Sequence, residues 1–152
     1  MKTTLFNSID FVAVPITLIV LLLLAKLILR SEDETTKKLF MRGFWVRIIF
    51  VFVFGAIMQF YYGGGDTFRY FISILDIRNA ISDGNLSVGE LLGMSNTSFE
   101  HPLSIYFELD ELGENHFYMR TTANFTIPKI GTLLSFIFFK SYIAISLAMS
   151  FF

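Results

Sequence analysis

Residues 11–29, FVAVPITLIVLLLLAKLIL, carry a single charge, Lys26, in nineteen positions. A helix of that length covers roughly 28 Å at about 1.5 Å per residue, close to the hydrocarbon thickness of a bilayer. Lys26 lies about one turn from the end, where its stem can snorkel to the headgroups. Pro15 falls in the first turns, where a missing N–H costs least. A cleaved signal peptide is the rival reading. Against it, the basic flank follows the apolar run instead of preceding it, and no small-x-small cleavage site follows Leu24.

Working outward, residues 44–62, FWVRIIFVFVFGAIMQFYY, make a second run of span length. Trp45 at one end and Tyr61–Tyr62 at the other match the aromatic belts of a bilayer. Arg47, one turn inside, is expected to snorkel back toward Arg42. A third run starts near Ile127 and reaches Phe152 with Lys140 in its middle. A lone central Lys in lipid costs about 3 kcal/mol on insertion scales. Two readings follow: Lys140 faces a protein or water-filled interior, or the segment is two shorter helices broken near 139–141. Pro128 fits the first turn of this span. The apolar ending Met149-Ser150-Phe151-Phe152 is read as the N-terminal fragment of a longer polytopic protein, whose further helices would surround Lys140. The expected fold is all-α and integral to the membrane. It has an N-terminus at 1–10, spans at 11–29 and 44–62, and a truncated third span at 128–152. A short loop covers 30–43 and a long one 63–127.

Composition agrees. The 152 residues are 54% apolar and 16% charged, against about 25% charged in soluble domains. With no Cys there is no disulfide, thiolate metal site or cysteine nucleophile, and a net charge of −1 offers no basic footprint for nucleic acid. Orientation follows from the cations. Six Lys or Arg lie between Lys26 and Arg47, whereas residues 63–127 hold three, Arg69, Arg78 and Arg120, with nine carboxylates. The short loop is therefore expected in the cytoplasm, and the N-terminus and long loop outside.

The long loop has its own pattern. Phe68, Phe71, Ile72 and Leu75 recur at helical spacing, predicting an amphipathic helix over about 67–82 that lies in the interface or on the bundle. Arg69, Ser73 and Asp76 fall on its other face. Gly84-Asn85 ends it as a turn, Ser87-Val88-Gly89-Glu90 fits a capping box before a short helix, and Pro102 to Leu109 forms another short element. Asp110 to Asn115 reads as a polar turn. The stretch Tyr61-Tyr62-Gly63-Gly64-Gly65-Asp66-Thr67-Phe68-Arg69-Tyr70-Phe71 is the most distinctive. Three glycines free the backbone where a span ends, and an acid follows at the start of a helix. As bare local physics, Asp66 is an N-cap; a capping role and a chemical one are compatible.

Other chemistry is poorly represented. His101 and His116, among Glu100, Asp110, Glu111 and Glu114, lack the i, i+4 pair of a helical zinc site and read as solvated loop residues. The glycines are followed by no Gly-Lys-Ser/Thr and preceded by no strand, so they form no phosphate loop. Asn85, Asn96 and Asn124 each open an Asn-x-Ser/Thr triplet in the loop placed outside, to which no function is assigned.

A span leading to an outer loop that opens with an acid, then Arg-Tyr and an interfacial helix, resembles the GT-C-type membrane glycosyltransferases. Residues 44–76 carry the likeness, with Leu134-Ser135-Phe136 and Lys140-Ser141-Tyr142 in 130–152 similar to the following span of bacterial relatives. The resemblance implies inverting transfer from a polyprenyl-phosphate-linked sugar donor in polysaccharide biosynthesis at the bacterial inner (plasma) membrane. Asp66 would be the catalytic base, and Arg69 and Tyr70 the substrate-binding pair, with Arg69 on the carrier phosphate. A headgroup contact is the plainer use of Arg69. The implied partners are the bilayer, the donor and the missing C-terminal helices, without which the fragment is expected to be inactive. No cofactor is implied, and a divalent metal is left open. Two rival readings stand beside this one: a surface-polysaccharide polymerase or flippase component, and a non-enzymatic membrane subunit whose outer loop binds a partner.

Overall fold

A computed structural model describes residues 4–97, 101–108 and 119–151. Among them are α1 (Asp10–Ile28), α2 (Glu34–Ala56), α3 (Asp66–Ser82), α4 (Val88–Gly93), α5 (Leu103–Glu108), α6 (Thr122–Ile137) and α7 (Tyr142–Phe151), and no strand. The chain divides into two compact units. One comprises Leu5–Gly63 and Phe138–Phe152, the other Met1–Thr4 and Gly64–Ile137.

The first unit contains the two long apolar helices. A 3₁₀ turn extends α1 to Ser31, and a π-helical segment, Ile57–Tyr62, extends α2. The continuous helices Asp10–Ser31 and Glu34–Tyr62 are long and apolar enough to cross a membrane. Asp33 starts α2, its side chain accepting from the amides of Thr35 and Thr36. These two bonds and one from the Thr36 hydroxyl hold the Asp33 carboxyl below the usual range, the hydroxyl contributing most. Val14, Leu21 and Ala25 of α1, Phe44 and Ile48 of α2, and Ile143, Leu147 and Phe151 of α7 form one apolar cluster. Gly55 allows the close approach of α2 to α7: a Cβ there would stand 3.1 Å from Ile143 Cδ1. The outer faces stay apolar and uncovered, with Phe11 87% and Leu23 60% exposed. Apolar surface of that extent suits hydrocarbon rather than water.

Polar contacts fasten this unit at both ends. Ser141 caps α7 by accepting from the Ala144 amide at 3.0 Å, and its hydroxyl donates to Asp10 Oδ1 at 2.6 Å. Asp10 Oδ2 in turn accepts from the Asn7 amide at 2.9 Å. Arg47 departs from expectation. It reaches the carbonyls of Ser150 and Phe151, at 2.9 and 3.3 Å, instead of snorkelling toward Arg42.

The third apolar run is two helices. α6 ends at Ile137 and α7 begins at Tyr142, with Lys140 exposed in the break. Phe139 has φ +64°, a left-handed conformation that a bulky side chain rarely adopts. The cost of a central lysine in an unbroken lipid-facing helix gives a physical reason for the break. Pro128 also differs from expectation. α6 begins at Thr122, so Pro128 sits inside the helix.

The second unit is built on α3 and α6. Three cross-contacts set their register: Tyr70 with Asn124, the Ile74 carbonyl with Thr132, and Arg78 with Ser135. Both positions climb together, so the two helices run parallel. A parallel pair needs a long return connection, and residues 83–121 supply it with α4 and α5. Ile77 and Ala80 of α3, Leu86, Leu91 of α4, Leu103 and Phe107 of α5, Met119, and Phe125 of α6 make the core. α4 starts with a complete capping box between Ser87 and Glu90. α3 stops in the turn expected at Gly84, where the amides of Asn85 and Gly84 donate to the carbonyls of Ala80 and Ile81. That pattern is a Schellman motif, with Gly84 at φ +76°.

Candidate functional site

Asp66, Arg69 and Tyr70 all lie in the first turns of α3, and the local backbone explains how. Gly63 adopts φ +62°, closing the π-helical segment with its amide on the Met58 carbonyl at 2.8 Å. Gly65 has φ 94° and ψ −168°, a region open essentially to glycine alone. With the chain so turned, Gly65 is the N-cap and Asp66 the first helical residue. The expectation that Asp66 itself caps the helix is thereby corrected: α3 has no side-chain cap bond. The reason is that an N-cap residue has non-helical φ/ψ, which Gly65 takes up and Asp66 does not. Its carboxylate remains in the first turn, on the favourable end of the dipole, and is exposed.

Arg69 follows one turn later and is half-buried. Residues three apart share a helix face, so a cation and an anion are presented on neighbouring positions. Tyr70 is half-buried too, and its hydroxyl lies 3.4 Å from Asn124 Oδ1. That contact places Tyr70 in the seam between α3 and α6, with its ring against the core rather than beside Asp66 in open solvent.

The remainder of the seam packs α3 against α6. Ser73 and Thr132 are fully buried, and one carboxylate oxygen of Asp76, Oδ2, is buried as well. The polar side of α3 is thus largely covered, where periodicity had set Arg69, Ser73 and Asp76 on a face opposite the apolar one. Arg78 donates to the backbone carbonyl of Ser135 and, at 3.1 Å, to its hydroxyl. Its guanidinium also stacks 4.6 Å from the Phe136 ring centre. Burial holds Arg78 below the usual arginine pKa. Arg78 was not singled out in the sequence, although its i+8 spacing from Tyr70 through Ile74 is visible there.

His101 is used locally, its Nδ1 accepting from the Leu103 amide at 3.2 Å at the start of α5. Glu100, Asp110, Glu111, Glu114 and His116, and the polar turn expected at 110–115, lie outside the described residues. Among the described residues no three His, Asp or Glu gather as a metal site. Asn85 and Asn96 are exposed, whereas Asn124 is partly enclosed by its contact with Tyr70. No family model, curated protein or solved structure matches the chain.

Proposed function

We propose that the chain is part of a multi-pass membrane glycosyltransferase that takes a sugar from a polyprenyl-phosphate carrier, with Asp66 as the general base on the extracytoplasmic side. One observation carries this reading. An exposed carboxylate opens a well-packed helix only four residues after a membrane-length helix ends in Phe60-Tyr61-Tyr62, which are 80%, 81% and 66% exposed. Four residues of extended chain reach about 14 Å at most, so the acid stays near the level at which those aromatics would meet the headgroups.

In the proposed reaction Asp66 takes the proton of an acceptor hydroxyl as its oxygen attacks the anomeric carbon. The bond from that carbon to the carrier phosphate breaks with inversion, and polyprenyl phosphate leaves. Arg69 faces the charge that grows on the phosphate, through bidentate guanidinium contacts. The amides of the first turn of α3 add to it. Tyr70, with its hydroxyl on Asn124 and its ring against the core, serves this reading by holding the first turns of α3 in place.

The test is Asp66→Asn in membranes that contain the protein, assayed for sugar transfer from a radiolabelled polyprenyl-phosphate hexose. An isosteric amide cannot act as base, so the expected loss is about 10²–10⁴-fold, with expression and insertion unchanged. Near-normal transfer by Asp66→Asn would overturn the assignment. Equal loss in Asp66→Asn and Asp66→Glu, with loss of protein from the membrane, would assign Asp66 to folding instead.

A further inference from the structure

A second feature lies within the helical hairpin of α1 and α2, at the end where the two are joined. Leu22, Lys26, Leu29 and Arg30 form one stripe of α1 and its 3₁₀ extension, at i, i+4, i+7 and i+8. Lys37 and Met41 form a matching i, i+4 pair on α2. Together these six residues line a groove of about 390 Å³. That volume falls in the range of about 300–1,000 Å³ typical of small-molecule sites.

The groove is graded along its length. Leu22, Leu29 and Met41 supply apolar walls, of which Leu29 is 7% exposed. Lys26 lies about 6 Å above Leu22 along the helix axis and Arg30 about 12 Å, so the cations collect toward the joined end. Two of the three acids in the joining turn are engaged, and the third, Glu32, is exposed to solvent. Asp33 is spent on the start of α2, and Glu34 pairs with Lys37 at 3.1 Å. Lys26 and Arg30 make no hydrogen bond or ion pair among the described residues. An apolar cleft with two uncommitted cations and a third shared one at its mouth has the chemistry of an anionic amphiphile turned inside out.

We propose that this groove binds one anionic phospholipid, its phosphate between Lys26, Arg30 and Lys37 and the top of an acyl chain along Leu22, Leu29 and Met41. Charge complementarity selects this occupant. A zwitterionic lipid brings its own cation to the same place, and a detached anion leaves the apolar walls unfilled. The site is independent of Asp66 and of the sugar-transfer reading. Each basic side chain at a membrane surface favours an anionic lipid by about fivefold, so Lys26 and Arg30 together set a ceiling of roughly 25-fold.

Trp45, the sole tryptophan, makes the site measurable. It follows Met41 by four residues on α2 and so shares its face, about 6 Å along the axis. The full chain is reconstituted in phosphatidylcholine vesicles, with brominated phosphatidylglycerol or brominated phosphatidylcholine as quencher of Trp45. The brominated phosphatidylglycerol should quench with an apparent affinity about three- to 25-fold higher than the phosphatidylcholine. Lys26→Gln with Arg30→Gln should abolish that preference. Lys38→Gln with Arg42→Gln, which removes two cations outside the groove, should preserve it. Equal loss in both pairs would overturn the proposal in favour of a diffuse field, and so would no preference in the native chain. Displacement of the lipid by inorganic phosphate, but not by sodium chloride at the same ionic strength of about 0.15 M, would overturn it in favour of a free-anion site. Circular dichroism checks that each pair stays folded, and Lys26→Arg, which keeps the charge, should keep the preference.

Discussion

Arg78→Leu should loosen the α3–α6 pair, and its size can be worked from the contacts. The guanidinium donates to the Ser135 carbonyl, one of the last four of α6 and so without an intrahelical donor. A hydrogen bond from a charged group is worth about 1.5–3 kcal/mol, and a partly exposed cation–π contact about 0.5–1 kcal/mol. Against these stands the dehydration of the guanidinium, which Leu would not suffer and whose sign is visible in the lowered pKa of Arg78. The Ser135 hydroxyl keeps its bond to the Thr132 carbonyl at 2.7 Å, so only the carbonyl is left unsatisfied. The net loss is about 2 kcal/mol, equivalent to roughly 30-fold in the local opening equilibrium. Hydrogen–deuterium exchange of the full chain in detergent should show that acceleration in α3 and the last turns of α6. Arg78→Lys, which retains the charge at the helix end but not the fork, should fall between. Exchange within about threefold of the native chain in Arg78→Leu would refute the reasoning.

Two further outcomes are expected. Ser141→Ala removes both the cap of α7 and the donor to Asp10, and should cost about 1–2 kcal/mol, read in sodium dodecyl sulfate unfolding by Trp45 fluorescence; an unchanged midpoint would deny the contact any role. Glu90 is held below the ordinary glutamate pKa by hydrogen bonds from the Ser87 amide and hydroxyl, with His101 adding a smaller attraction. A lowered folded pKa means that its contribution is complete above the ordinary glutamate value and is lost as pH falls through the lowered one. Amides of α4 should therefore lose protection in acid, and Ser87→Ala, which keeps the amide bond and removes the hydroxyl, should weaken that dependence in part; a pH-independent native profile would contradict it.

Much of this architecture is legible residue by residue, and the parts that are not share a cause. The two membrane-length helices follow from run length alone, and the helix after Gly65 follows from Phe68, Phe71 and Ile72. Local turn chemistry was equally readable at Ser87–Glu90 and at Gly84, because those bonds span six residues or fewer. Partners distant in the chain were not. Ser73 looks solvent-facing until α6 is laid beside it, and nothing near Asp10 announces a hydroxyl 131 positions away. Pro128 was misplaced because proline favours a first turn, whereas here the helix was already running from Thr122. Asp66 read as a cap because aspartate is a favoured one; the unusual dihedrals of Gly65 moved the cap back by a residue. At the candidate site the acid, the arginine and the tyrosine could be named from the motif. That the tyrosine hydroxyl turns to Asn124 could not.

Extracytoplasmic sugar transfer requires Asp66 to lie on the outer side of the membrane. The chain contains no cysteine, so Asp66→Cys and Thr36→Cys each give a single thiol for labelling with a membrane-impermeant maleimide. Labelling of Asp66→Cys in intact cells, with Thr36→Cys labelled only after permeabilisation, is the predicted result. The reverse pattern would put the carboxylate in the cytoplasm and contradict sugar transfer from an extracytoplasmic carrier.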